Sequence, residues 1–371
     1  MDDLNQNPKL GSADRPNSYI GRSVPRERAK KLLEGKGKYV DDILLPRMVH
    51  LSYVRSPFAH AKIKSINTEN AKKIPGVLNV FTIDDIEKVC TPWQGVLGHL
   101  GEMRSPTQYP LAKDVVRWQG EPVAVVVANK RAVAEDALEL VEIDYEDLDA
   151  QLDMETAMDK STKVIHDDLG NNLFWTRTVN QGDVIEAFKQ SHIVEEVTLD
   201  FARHTGVTLE TRAIVADWDS SEERMTIYHN GQAPHMMQSI IAKHLNISEG
   251  LVRIISCDVG GSFGIKVHVY PDEMVTVAVS KLLKRPVKFV ADRLESYSTD
   301  IHSRCHKISG KIGVDDKGKI LAFEIDDLSG IGPFSVYPRT SAIETNQVLN
   351  LSAASYVCLL YTSDAADDIR C

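Results

Sequence analysis

Six consecutive apolar residues, Val123–Ala128, sit inside the segment EPVAVVVANKRAVAEDALELVEIDYEDL and constrain the fold more than any other part of the chain. A valine-rich run of that length, bounded by Pro122 and Asn129, predicts a strand buried on both faces. Behind it, Ala132, Val133, Ala137 and Leu140 recur at helical spacing, and Val141–Tyr145 returns to strand-forming composition. The three pieces predict a β-α-β unit, and with it a chain of mixed α/β class.

The same alternation continues on either side. A short basic segment, Arg26 to Leu33, is expected to stop at Gly35 and Gly37. Met48–Val54 and Asn79–Thr82 read as strands, with Thr82 capping a short helix through Asp84, Asp85 and Ile86. Residues 150–190, with Gly170 and Gly182, read as a connector into a second domain. There Met225–His229 and Leu251–Ser256 are strands, and Pro234–Leu245 is a helix turning Met236, Met237, Ile240, Ile241 and Leu245 inward. Pro271–Leu283 is a second helix, with Pro271 in its first turn and Asp272 and Glu273 placed to suit the helix dipole. ISGKIGVDDKGKI is a hairpin turning at Asp316–Gly318.

Charge and cysteine usage narrow the function. The formal net charge is −10, which argues against a nucleic-acid partner, because phosphate contacts need clustered cations. No apolar run approaches the roughly 18 residues of a membrane span. Cys90, Cys257, Cys305, Cys358 and Cys371 form no C-x-x-C pair, so neither a disulfide framework nor an iron–sulfur cluster is expected, and the expected compartment is cytoplasmic. Residues 1–18 read as a disordered leader. Among His302, Cys305 and His306 the two histidines share a face, yet nothing supplies the remaining ligands, so they read as a solvated strand leading into the hairpin.

The chemistry concentrates in CDVGGSFGIKVHVYPDE, residues 257–273, between a strand and a helix. It is neither a Walker loop nor a dinucleotide fingerprint, since both glycine spacings are absent. Gly260, Ser262 and Gly264 do spell G-x-S-x-G, with Asp292 and His302 following in hydrolase order. A nucleophile elbow, however, opens its helix at once, whereas the segment from Ile265 to Tyr270 reads as extended before Pro271. A serine esterase is therefore a minor alternative.

The loop resembles the glycine–phenylalanine segment, GGGFG-x-K, of the molybdenum hydroxylase large subunits, the family of xanthine dehydrogenase, aldehyde oxidase and the aerobic carbon monoxide dehydrogenases. The resemblance extends to GKGKYVDDI, SPFAHAKI, PGVLNVFT, RWQGEPVAVVVA, LETRAIVADWD and NGQAPHMMQ, in family order from about Tyr19 to about Leu351. It implies an N-terminal α/β hammerhead domain over residues 19–155, followed by the first part of a molybdopterin-binding domain over 160–357. CLLYTSDAADDIRC, 358–371, continues no family pattern and is expected to be a non-native tail.

The resemblance also implies a site. Gln232 matches the glutamine that donates to a molybdenum oxo group. Phe263 matches the phenylalanine walling the pocket, and Gly261, Ser262 and Gly264 match positions whose backbone approaches the cofactor. Val267 follows the loop lysine where purine-oxidising relatives carry glutamate, so it points away from xanthine and towards the carbon monoxide dehydrogenase branch. No side chain is expected to bind the metal directly, and the general-base glutamate is expected beyond residue 371. Glu210 reads as a surface carboxylate. The implied cofactor is a molybdenum pyranopterin in its cytosine dinucleotide form, with iron–sulfur clusters and FAD on small and medium partner subunits in a dimer of heterotrimers. A non-catalytic fragment or scaffold is the alternative from another class, and the chain alone is expected to be inactive.

Overall fold

The computed structural model describes Ser23, Arg26 and residues 29–352. The expected leader at 1–18 and tail at 358–371 lie outside the described residues. Helix α1 (Ala29–Leu33) is a short turn ending before Gly35, whose φ of 69° suits a residue without Cβ.

From Tyr39 the chain forms β1 (Val49–Arg55), β2 (Ala61–Asn67), α2 (Glu69–Lys72), β3 (Val77–Phe81), α3 (Ile83–Ile86), β4 (Val115–Val116), β5 (Pro122–Ala128), α4 (Arg131–Leu138) and β6 (Glu142–Asp147). Every residue of β5 is buried, as its apolar run requires, and it lies antiparallel between β1 and β3. Thr82 is the N-cap of α3, its N–H donating to Asp85.

The expected β-α-β unit is not formed. β6 leaves the sheet of β5 and pairs antiparallel with β2 in a separate three-stranded sheet, β4-β2-β6. The physical reason lies in β6 itself: EIDYED carries acids on alternate positions, so it covers the outside of the unit instead of filling a buried slot. Helix α4 also presents a different stripe, burying Ala134 and Ala137, while Ala132 is exposed and Leu140 falls beyond its end.

The second half runs α5 (Val184–Gln190), β7 (Ile193–Phe201), β8 (Ala213–Asp219), β9 (Arg224–His229), α6 (Pro234–His244), β10 (Val252–Ser256), α7 (Pro271–Leu283), β11 (Val287–Val290), α8 (Arg293–Thr299), β12 (His306–Val314), β13 (Ile320–Ser329) and α9 (Ala342–Leu351). A true parallel β-α-β unit occurs here: β9 and β10 are parallel neighbours joined by α6. Met237 is buried in the main core and Met236 packs against it, as core filler. The hairpin of β12 and β13 pairs with β7. His302–Cys305 precede that hairpin as loop apart from a bridge at Ser303, not as the expected strand.

The seven-stranded sheet runs β10-β9-β8-β11-β1-β5-β3. Its halves meet where β1 lies parallel to β11, Val49 opposite Val287. Helix α7 packs across this sheet and is buried over residues 272–280, including Asp272 and Glu273. A helix buried on all sides reads as apolar, and in the buried stretch of α7 the charged residues are these two acids.

Candidate active site

Three connections converge at one edge of the seven-stranded sheet. They are residues 204–212 leading into β8, residues 230–233 leaving β9, and residues 257–270 leaving β10. Because β9 and β10 are parallel, their exits lie at the same carboxyl edge, where open α/β sheets bind ligands.

The glycine loop is shaped by left-handed backbone. Gly261 and Gly264 have φ of 97° and 91°, and Phe263 adopts a φ of 48° between them. That conformation costs a non-glycine residue about 1 kcal/mol or more, so the surroundings must hold it. The outcome is a phenyl ring turned outward and 75% exposed. On the inner side, the Cβ of Phe263 lies 2.9 Å from where a Cβ of Gly206 would stand, which seats the loop on the 204–210 segment.

Glu210 fixes the loop from below. Its Oε2 accepts from the Gly260 N–H at 2.7 Å and from Lys266 Nζ at 3.1 Å. The surface reading of Glu210 is thereby corrected: its side chain is 16% exposed and Lys266 is 1% exposed. Burial pulls the Lys266 amine below its usual pKa and the Glu210 carboxylate opposes that pull. Glu210 Oε1 is buried without a hydrogen-bond partner.

Gln232 joins the loop from the second connection. Its N–H donates to the Lys266 carbonyl at 2.9 Å, and its Oε1 accepts from the Gly264 N–H at 3.1 Å. The second bond orients the amide, because only the oxygen can accept. The NH2 group of the exposed carboxamide therefore points away from the Gly264 N–H, and no described residue accepts from it.

Ser262 is half-buried, and its carbonyl closes the 3-10 turn Ile265–Val267 by accepting from Ile265. This turn takes the first half of the segment expected to be extended, and His268 and Tyr270 beyond it are extended. Val267 ends the turn, half-buried. No hydrolase triad is assembled. Asp292 instead caps α8, accepting from the Glu295 N–H at 2.7 Å, and neither it nor His302 hydrogen-bonds to Ser262 among the described residues.

Beneath the site lies a charge network that the sequence reading missed. Arg212, fully buried in the LETR segment, donates to Asp272 at 2.5 and 2.9 Å and to Asp300 at 2.6 Å. Its guanidinium stacks 3.7 Å from the centre of the Tyr270 ring. Arg55 of β1 adds a 3.1 Å contact to Asp272 and a 2.9 Å bond to Glu295. Burial alone would raise the Asp272 pKa, yet the two guanidinium groups hold it below the usual carboxylate range. Two adjacent acids at the head of an otherwise apolar helix were the available signal.

The remaining candidates are engaged in structure. His306 Nδ1 lies 2.8 Å from Asp327, and Cys305 accepts from Arg203 at 3.5 Å. Among the described residues no three His, Cys, Asp or Glu side chains gather as a metal site.

The donors present suit an oxygen-rich group. The N–H groups of Gly261, Ser262 and Phe263 donate to no described residue, the Gln232 NH2 stands beside them, and a Cβ on Gly264 would meet nothing within 4 Å. An oxoanion or a metal-oxo group meets such a surface without needing a protein ligand.

Sequence and structure comparisons agree with this geometry. The family model "Molybdopterin cofactor-binding domain" matches residues 165–364, and "Aldehyde oxidase and xanthine dehydrogenase, a/b hammerhead domain" matches residues 34–149. The chain belongs to this molybdopterin-binding family of the aldehyde oxidase and xanthine dehydrogenase type. It is 35% identical to the nicotine 6-hydroxylase large subunit of Paenarthrobacter nicotinovorans, over 95% of this chain and 44% of that protein. It is 32% identical to the carbon monoxide dehydrogenase large chain of Afipia carboxidovorans, over 93% of this chain and 44% of that one. Its fold superposes on quinoline 2-oxidoreductase from Pseudomonas putida 86 with a TM-score of 0.86 and 31% identity, covering 89% of this chain and 42% of that one. The chain thus spans less than half the length of these relatives.

Proposed function

We propose that this chain is the N-terminal part of the catalytic subunit of a molybdenum hydroxylase, an oxidoreductase that inserts water-derived oxygen into a small substrate. The observation that carries the reading is the Gln232 carboxamide, pinned by its oxygen to Gly264 so that its NH2 is free to donate at the glycine loop. When bound, the molybdenum pterin supplies the two-electron redox chemistry. The chain supplies position. Gln232 donates a hydrogen bond to an oxo group, the backbone of Gly261, Ser262 and Gly264 lies against the cofactor, and Phe263 walls the pocket. The general base lies outside these 371 residues.

Val267 can neither donate to nor accept from a heterocycle, which argues against xanthine. Among carbon monoxide, aldehydes and N-heterocycles, the heterocycles come first, since the relatives named above include enzymes for nicotine and quinoline. The reading extends to a cytosine dinucleotide cofactor, to iron–sulfur and FAD partner subunits in a dimer of heterotrimers, and to a cytoplasmic location. Among the described residues no helix is long and apolar enough to cross a membrane.

The test is elemental analysis and dye reduction on the longer protein that contains this chain, produced with its partner subunits. Near-stoichiometric molybdenum and reduction of an electron-accepting dye with an N-heterocycle, aldehyde or carbon monoxide are expected. A folded complex without molybdenum would overturn the reading.

A further inference from the structure

We propose that His229 and Glu273 are positioning residues that set the orientation of the Gln232 carboxamide. The proposal rests on the role given to Gln232 above and adds what holds that side chain in place.

His229 is the last residue of β9, opposite Ser256 of β10 and Ile214 of β8, and only 2% of it is exposed. Its ring folds over the turn that follows. A Cβ on Gly231 would stand 2.3 Å from His229 Cε1 and 2.4 Å from Nδ1, so ring and turn are in direct contact and only glycine passes between them. The turn is tied on its other flank by Asn230, which is fully buried, accepts from Ala213 N–H at 3.2 Å and donates to the Thr211 carbonyl at 2.8 Å. Gln232 comes next, and its two bonds to the glycine loop leave from this turn.

The far side of the ring faces α7. His229 Nε2 lies 3.3 Å from Glu273 Oε1, in the first turn of that helix, and both side chains are 3% exposed. Neither Glu273 Oε2 nor His229 Nε2 has a hydrogen-bond partner, so the two side chains meet as a close polar contact, and Arg212 stands 3.8 Å from Oε1 with its own donors directed at Asp272, Asp300 and Thr299. A carboxylate this deeply buried is costly without a donor, so it holds the imidazole against it. The carboxylate fixes the ring, the ring fixes the Gly231 turn, and the turn fixes the amide.

The experiment uses the full 371-residue chain with glutamine side chains labelled with nitrogen-15, the Gln232 signal being assigned by its loss in Gln232→Ala. In Glu273→Leu and in His229→Phe, the Gln232 NH2 resonances should be displaced or split. Those of Gln238, whose amide is held by the Glu249 and Val252 carbonyls, should stay. Glu273→Gln keeps the side-chain length and a polar oxygen beside Nε2 and should restore the original position. Gly231→Ala presses on the ring from the opposite side and should also move the Gln232 signals, which keeps the test open if the other variants fail to fold. Unmoved Gln232 signals in folded Leu and Phe variants, or equal displacement in Glu273→Gln, would overturn the proposal. No molybdenum is measured, so loss of the cofactor reading and loss of this inference give separate results.

Discussion

Lys266 is buried to 1% exposure and its ammonium rests 3.1 Å from the Glu210 carboxylate. Because the same carboxylate oxygen also takes the Gly260 N–H, one residue from the first connection holds both ends of the glycine loop. Removing it strands a buried cation. Glu210→Ala should destabilise the chain by about 3 kcal/mol, whereas Glu210→Ala combined with Lys266→Met should recover a large part of that loss. Denaturant unfolding of the two variants measures the difference. Equal stability of the single and double variants would contradict the buried-pair argument.

Gly260→Ala tests the same clamp without changing charge. A Cβ at residue 260 would stand 2.4 Å from Glu210 Cβ, so the glutamate must shift from its two partners. We expect a loss of about 1–3 kcal/mol, and a smaller further loss when Glu210→Ala is added than Glu210→Ala causes alone. Additive losses would show that the two residues act separately.

Acid sensitivity should come from two histidines before it comes from carboxylates. Burial, followed by the nearby Arg117, lowers His166 to about 4, and burial with Arg339 lowers His268 to about 4. Their unfolded values lie near 6.5, so as pH falls the unfolded chain takes up these protons first. The stability these two histidines contribute is therefore fully present above pH 6.5 and drains away between 6.5 and about 4, with a slope of up to about 1.4 kcal/mol per pH unit for each. Glu121 offsets this in part, since burial raises it to about 7 and it takes up its proton on folding in the same window. Asp272, whose pKa is lowered, contributes only below that window. Unfolding titrations of His268→Leu should show a shallower slope than the parent, and an unchanged slope would remove His268 from the account.

In the longer protein, Gln232→Ala should reduce turnover more than molybdenum content. It removes the bond from the Gly264 N–H and, on the proposed reading, the carboxamide's bond to an oxo group, each worth about 1 kcal/mol. Full turnover in that variant would sink the assignment.

Purified by itself, the 371-residue chain should hold no stoichiometric molybdenum and reduce no dye. One loop and one amide cover little of a pterin dinucleotide, and a positioned base contributes typically 10²–10⁴-fold to proton transfer. Stoichiometric metal in this chain would contradict the prediction.

Much of this was legible in the sequence because local pattern decides it. The Val123–Ala128 run sits at the heart of β5, and Pro271–Leu283 is α7. What pattern could not give was partnership. β6 follows α4 with the right composition but pairs with β2, since its alternating acids belong on an outer sheet. At the site, Gln232 and Phe263 were singled out from the family motif, and the structure brings Gln232 onto Gly264. Glu210, Arg212, His229 and Glu273 were misread or passed over, because a charged side chain looks solvated until its counter-charge arrives from residues more than 40 positions away.

The parallel seam between β1 and β11 sets a schedule for biosynthesis. Val49 finds its neighbour Val287 only after the intervening polypeptide has left the ribosome. At roughly 5–20 residues per second, that interval is on the order of 10–50 s. Throughout it β1 has one edge without a strand beside it, so the N-terminal segment cannot complete its sheet as it emerges. The two stretches that separate family models match at 34–149 and 165–364 are in this respect a single folding unit, finished from its C-terminal side.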